Sequence, residues 1–245
     1  MLWNAKNGEV SIGGTKMAYA SFGHGSRAFI LLPGLSDGLA TVRGKALLLA
    51  RPYTPFFDTF TVYMFSRKDA MPSDYSIRDM AADQAEALRQ LGIRKACVMG
   101  VSQGGMIALV LAIEHPELVC KMVLGSSSAH VKEDQYRVIE GWISLAKAGD
   151  REGLYLAFGA ELYPPSVFEQ VRNTLIAAAE TVTDSDLKRF VILAEGIKGF
   201  DVVSELDKIQ CPVLALGVFE DSVLDSDATM EIAEKLDEHP DFRLY

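Results

Sequence analysis

The residues best placed to do chemistry lie between Lys95 and Pro116, where KACVMGVSQGGMIALVLAIEHP passes from an apolar strand through Gly100-Val101-Ser102-Gln103-Gly104 into a helix. A serine flanked by glycines in the pattern G-x-S-x-G is the form of a nucleophile carried on a tight strand-to-helix turn. Small residues at 100 and 104 let strand and helix approach without a side-chain clash, so the Ser102 hydroxyl projects above the sheet. The helix Gln103 to Glu114 begins at this serine, and its free N–H groups and positive dipole end face any oxyanion formed beside it. A five-residue pattern arises by chance, as a plain Gly-Ser-Gly turn. The flanks supply the specificity: Ala96 to Met99 before the turn, and Met106, Ile107, Leu109, Val110 and Ile113 at helical spacing after it.

Such a serine needs a second oxyanion donor, a base and an acid. The continuously apolar run Ala28 to Leu32 ends in Pro33-Gly34-Leu35-Ser36, and there Leu35 is the residue placed to present a backbone N–H over the sheet. An ordinary strand-to-helix turn is the alternative. The leading carboxylate is Asp221, which follows the strand Cys211 to Leu216 through Gly217-Val218-Phe219-Glu220. A cap or loop carboxylate is the other reading of Asp221, and Glu220, Asp225 and Asp227 compete with it. Asp227, at the head of the helix Ala228 to Leu236, reads as a cap, and Asp225 is further from the strand end. For the base there are four histidines. His24 and His239 precede strands and so fall at the edge opposite Ser102, while His115 ends the helix that Ser102 begins, ~18 Å away at 1.5 Å per residue. His130 follows a strand's carboxyl end on the correct edge, yet reads as a solvated loop histidine before it reads as a base.

The elements that must carry these groups are ordered. Glu9 to Ile12 and Thr15 to Ser21 form a hairpin about Gly13-Gly14, followed by the strand Ala28 to Leu32 and a helix over Leu39 to Ala50 with Ala46, Leu47 and Leu49 inward. Phe60 to Phe65 is a strand, Ser66 to Asp74 a polar loop, and Ser76 to Asp79 a capping box opening a helix that runs through Leu91. After the serine turn and its helix, Leu118 to Leu124 is another buried strand. This βαβ alternation predicts a mostly parallel sheet with its ligand crevice at the carboxyl ends of the strands, where Ser102 and Leu35 both fall. From Val131 to about Gly199 the rhythm becomes all-helical, with helices over Gln135 to Ala148, Glu152 to Leu162, Pro165 to Glu180 and Ser185 to Glu195. The expected division is a core over 1–128, a helical cap over 129–200 and a second core part over 201–245. A cap at that edge would cover the crevice, with Phe158, Leu162, Tyr163, Phe168 and Phe200 as candidate pocket residues or as packing between its helices. Phe242 to Tyr245 starts a last strand.

Composition narrows the function classes. The chain has 245 residues, 49% of them hydrophobic, enough for one α/β unit with an insertion. A net charge of -9 and the lack of any Lys/Arg run argue against nucleic acid as a partner. Cys97, Cys120 and Cys211 each sit in or beside a strand-like run and read as buried thiols in a reducing cytoplasm, not as a disulfide frame or metal cluster. No leader or membrane span is expected, and no cofactor or metal is called for.

Leu32-Pro33-Gly34-Leu35, Gly100-Val101-Ser102-Gln103-Gly104-Gly105, Cys211-Pro212-Val213-Leu214 and Gly217 through Asp221 together resemble the α/β-hydrolase superfamily over nearly the whole chain. The resemblance implies an α/β-hydrolase fold: an eight-stranded sheet, a helical cap between strands six and seven, Ser102 as nucleophile, Asp221 as acid, and an oxyanion hole from the Leu35 and Gln103 N–H groups. It is nearest the capped esterase, lactonase and acyl-hydrolase group, with Pro33-Gly34 standing where His-Gly is common. The family's histidine follows the last strand, so it is expected beyond Tyr245, and the C-terminal loop and helix with it. Apolar surface around Leu39 to Leu49 and Phe60 to Val62 would then be exposed. The expected function is hydrolysis of a small carboxylic ester, lactone or thioester; a non-catalytic binding or scaffold protein, or His130 as base, are the alternatives.

Overall fold

The computed structural model describes residues 2–245. Eight strands form one sheet in the order β1-β2-β4-β3-β5-β6-β7-β8. They are β1 (Lys6–Ile12), β2 (Thr15–Gly23), β3 (Arg27–Leu32), β4 (Phe60–Phe65), β5 (Ala96–Val101), β6 (Val119–Gly125), β7 (Val213–Leu216) and β8 (Phe242–Leu244). β1 and β2 form the antiparallel hairpin, β2 runs antiparallel to β4, and all remaining pairs are parallel. Parallel pairing requires crossovers, so the carboxyl ends of β3, β5, β6 and β7 lie along one edge and the turns that follow them share it.

The crossover helices are α1 (Ala46–Ala50), α2 (Ile77–Gln90), α3 (Gln103–Glu114) and α8 (Ser226–Lys235). Gln103 through Ile113 are all buried, which explains why α3 is apolar on every side: it lies between the sheet and α2. α2 opens with the expected capping box, Ser76 Oγ accepting from the Asp79 N–H while Asp79 Oδ2 accepts from the Ser76 N–H at 2.9 Å. Between β6 and β7 stand four helices, α4 (Glu133–Lys147), α5 (Arg151–Leu162), α6 (Pro165–Ala179) and α7 (Asp184–Glu195). The chain leaves and re-enters the sheet through paired segments, with Val202 N–H donating to Ala129 O and Val131 N–H to Phe200 O.

Three expectations need correction. The helix over Leu39 to Ala50 is only five residues long, because the Pro52 and Pro55 segment turns tightly as a 3₁₀ helix and residues 39–45 follow an irregular path; Leu47 faces solvent instead of the core. Apolar exposure is found at Leu47 and Leu48 within the expected Leu39 to Leu49 stretch, but Val62 is fully buried beside Phe22, and further apolar exposure lies on the sheet face carrying Met99, Val101, Val123, Leu214 and Leu216, which are half-buried or exposed. On that same face Cys97 and Cys120 are half-buried, their Sγ atoms 3.3 Å apart, and only Cys211 is buried; burial raises the Cys97 thiol to about 11. Among the described residues no helix is long and apolar enough to cross a membrane.

Since α2 supports α3, removing its cap should be felt in global stability. Ser76→Ala should cost about 1 kcal/mol, lowering the melting temperature by about 2–4 °C. Thermal unfolding followed by circular dichroism checks this.

Candidate active site

Ser102 joins β5 to α3 with φ 52° and ψ -123°, a conformation that an L-residue with a Cβ resists and that costs on the order of 1–3 kcal/mol. The surrounding backbone holds it there. Its N–H donates to Gly125 O at 2.9 Å, and its carbonyl accepts from Ser127 Oγ at 2.8 Å and from the Gly105 N–H at 2.8 Å. Glycine is obligatory beside it. A Cβ on Gly100 would lie 2.1 Å from Gly104 O, one on Gly104 2.0 Å from Leu32 O, and one on Gly105 2.3 Å from Ser127 Oγ.

The turn after β3 comes equally close: a Cβ on Gly34 would sit 3.3 Å from Ser102 Cβ and 3.8 Å from its Oγ. Gly34 O accepts from the Asp37 N–H at 3.2 Å, so the planar trans Gly34–Leu35 peptide turns the Leu35 N–H the other way. Among the described residues neither the Leu35 nor the Gln103 N–H donates to any protein group. Both flank Ser102 as open donors, Gln103 at the first position of a twelve-residue helix.

Ser102 opens into a crevice of about 290 Å³ whose walls are mostly apolar, from Leu35, Met106, Ile139, Trp142, Phe158 and Leu162. Trp142 and Phe158 pack with ring centroids 4.6 Å apart, so α4 and α5 together make that wall. Of the expected pocket residues Phe158 and Leu162 line it, Phe168 packs under Gly159, Phe200 is buried against the core and Tyr163 is exposed. Asp221 lines the same crevice. Its Oδ1 accepts from the N–H groups of Val223 (3.0 Å) and Leu224 (2.9 Å), leaving Oδ2 without a protein partner among the described residues. The loop-carboxylate and crevice readings therefore describe the same residue. Glu220 also faces the crevice, while the cap of α8 is Asp225, not Asp227.

None of the four histidines lines the crevice. His24 pairs with Asp58 near the start of β3, His115 caps the far end of α3 beside Arg89, and His239 Nδ1 accepts from the Asp241 N–H before β8. His130, the one on the correct edge, pairs through its backbone with Asp201 and does not line the crevice. A hollow of about 650 Å³ with Arg27, Arg94, Lys95 and Cys120 in its walls lies at the opposite end of β5 from Ser102. Among the described residues no three His, Cys, Asp or Glu side chains converge as metal ligands would.

Sequence reasoning missed a buried polar cluster behind the serine. Arg67, in the segment read as a polar loop, is buried, and its Nη2 donates to Pro33 O (2.7 Å) and Gln103 Oε1 (3.0 Å). Asp37 Oδ2 accepts from the Arg67 N–H (2.8 Å) and pairs with Arg189 Nη2 (2.9 Å), an α7 side chain that also donates to the carbonyls of Lys68 and Arg67. Gln103 Nε2 reaches Leu193 O on α7 at 2.6 Å. A lone Arg in a polar loop gives no sign of this burial, because its partners are 30 or more residues away in sequence.

A family model described as alpha/beta hydrolase fold matches residues 28–198. The human protein named serine hydrolase BPHL is 29% identical over 147 residues, covering 58% of this chain and 50% of its own. The chain thus spans about half the length of that curated relative. Among solved structures, an alpha/beta hydrolase enzyme named MGS-M2, from a Medee basin deep-sea metagenome library, superposes with a TM-score of 0.84 at 19% identity, covering 97% of this chain and 88% of that one. The enol-lactonase from Burkholderia xenovorans LB400 does so with 0.79 at 18%, covering 97% and 90%.

The backbone at Ser102 makes a prediction that needs no substrate. Ser102→Gly should raise stability by about 1 kcal/mol through relief of strain, and Gly104→Ala should lower it by several times that, because the new methyl meets backbone. Urea unfolding of the two variants beside the parent chain measures both.

Proposed function

We propose, because this chain belongs to the α/β-hydrolase fold family, that it hydrolyses a small carboxylic ester, lactone or thioester with Ser102 as the nucleophile. The observation that carries the reading is the strained serine with two unpaired N–H donors beside it at the mouth of an apolar crevice. The relationship to a protein named a serine hydrolase supports it.

Ser102 Oγ attacks the acyl carbon, and the carbonyl oxygen, now negative, receives the Leu35 and Gln103 N–H groups. The leaving alkoxide or thiolate departs with a proton, an acyl-serine remains, and water regenerates the serine by the same route. The base is a histidine that follows Tyr245. Support comes from the edge of the sheet: Tyr245 N–H donates to Ala215 O (2.8 Å) and Gly217 N–H to Tyr245 O (3.0 Å), so residues after Tyr245 would emerge beside the loop that carries Asp221. Asp221 Oδ2, free of protein partners, would hold that histidine in the tautomer that accepts the serine proton. α4 to α7 act as the cap, their apolar wall receiving the acyl or leaving group and excluding water.

The test is turnover of a short p-nitrophenyl ester by a chain extended past Tyr245 with its native residues. Ser102→Ala should abolish it to the level of the uncatalysed reaction, and Asp221→Asn should lower kcat by about 10⁴-fold with a smaller change in KM. An extended chain that binds such esters without turnover would mark a non-catalytic binding protein and overturn the proposal.

A further inference from the structure

Behind the two donors lies a cluster whose charges do not balance. Arg67 and Arg189 are two cations; Asp37, with a completely buried carboxylate, pairs with Arg189 and accepts from the Arg67 backbone N–H, while the Arg67 guanidinium has no carboxylate partner among the described residues. The neighbouring Lys68 and Asp83 pair with each other at 2.9 Å, and the Tyr75 hydroxyl donates to Asp83, so these groups add no compensating charge. Arg67 Nε and Nη1 and Asp37 Oδ1 are buried without a protein partner among the described residues. Burying one more guanidinium than carboxylate costs stability, and Arg67 is held below its usual range by that desolvation although it remains protonated.

The position of Arg67 is what gives that cost a use. One nitrogen, Nη2, grips Pro33 O, two residues before the first donor, and the side chain of Gln103, whose own N–H is the second. The two turns follow neighbouring strands that are paired as far as Leu32 and Gly100, and beyond that pair no backbone hydrogen bond joins them among the described residues. Asp37 closes the first turn onto the Arg67 backbone, and Arg189 and Leu193 fasten the assembly to α7. The same helix presses on the turn so closely that a Cβ on Gly38 would lie 2.8 Å from Phe190 Cα.

Resting on the serine-hydrolase reading above, we propose that Arg67 is a positioning residue: its Nη2 ties the turns carrying Leu35 and Gln103 into one rigid anion-binding unit, locked to α7 through Asp37 and Arg189, and the surplus positive charge of the cluster favours the oxyanion. Preorganised donors in a low-dielectric setting act on the transition state, where negative charge appears, more than on the neutral bound ester. The signature is therefore a fall in kcat with KM nearly unchanged.

Two readings test this, one without catalysis. In Arg67→Met the amide ¹H–¹⁵N resonances of Leu35 and Gln103 should both move while those of α8 stay, since only the former lose their tie. With the p-nitrophenyl ester and the extended chain, Arg67→Met should lower kcat on the order of 10²-fold, the scale of losing one oxyanion donor, with KM within about threefold. Arg67→Lys, which keeps the charge and one donor and is the milder change for folding, should recover about tenfold of that loss. Arg78→Met, at an exposed ion pair with Glu114 and Glu205, should leave kcat as it is. Unmoved Leu35 and Gln103 resonances, or parent-like kcat in either Arg67 variant, would overturn the assignment. An extended parent chain with no esterase activity would sink the hydrolase reading instead, and the resonances would still decide whether Arg67 sets the donors.

Discussion

A serine at positive φ survives in this molecule because three backbones meet where it stands. β5 and α3 pass so closely at Gly100 and Gly104 that neither tolerates a Cβ, and the carbonyl of Leu32 on β3 fills the remaining space. That approach fixes the direction in which the chain turns, and strain at Ser102 is the consequence. The Ser102 N–H donating to Gly125 O at the end of β6, and the Ser127 hydroxyl just beyond it donating to Ser102 O, oppose relaxation. Strain of a few kcal/mol is affordable only where the surroundings over-determine the geometry, and the fully buried α3 provides that rigidity.

The same logic extends outward to the open N–H groups of Leu35 and Gln103. β3 and β5 are paired as far as Leu32 and Gly100, and beyond that pair side chains bridge the turns that carry Leu35 and Gln103. Arg67, Asp37 and Arg189 span that gap from a loop, a turn and α7. Four elements far apart in sequence are thereby committed to one another, and α7 cannot move without disturbing the turn at Pro33. α6 is different: it packs mainly on α5 and is exposed along most of its length. Motion of the helices over the crevice is therefore easier at α5 and α6 than at α7, since fewer buried contacts oppose it.

The apolar face of the sheet at Met99, Val123, Leu214 and Leu216 contrasts with the opposite face, on which α2, α3 and α8 pack. This asymmetry explains the half-exposed thiols of Cys97 and Cys120, whose place in or beside apolar strand runs predicts burial. A cysteine in an apolar strand run is buried only if something packs over its side of the sheet, and strand periodicity does not report which sides are covered.

By itself the amino-acid order determined the strands, the helices, the serine turn and the place of Asp221 after β7, because each depends on local pattern: periodicity, glycine where backbones touch, a cap where a helix starts. It also marked Leu35 through the Pro33-Gly34 turn that ends β3. The short α1 was misread because the Leu39 to Ala50 pattern looked helical while the prolines and the packing of the following turn decided otherwise. Only the tertiary structure decided that Arg67 is interior, that Asp37 and Arg189 meet across 152 residues of sequence, that Ser127 holds the serine carbonyl and that Trp142 walls the crevice. These are long-range pairings of side chains whose types are equally at home in water. Nothing local distinguishes a solvated arginine from one that folding has wrapped, since its burial is a property of the elements that close around it.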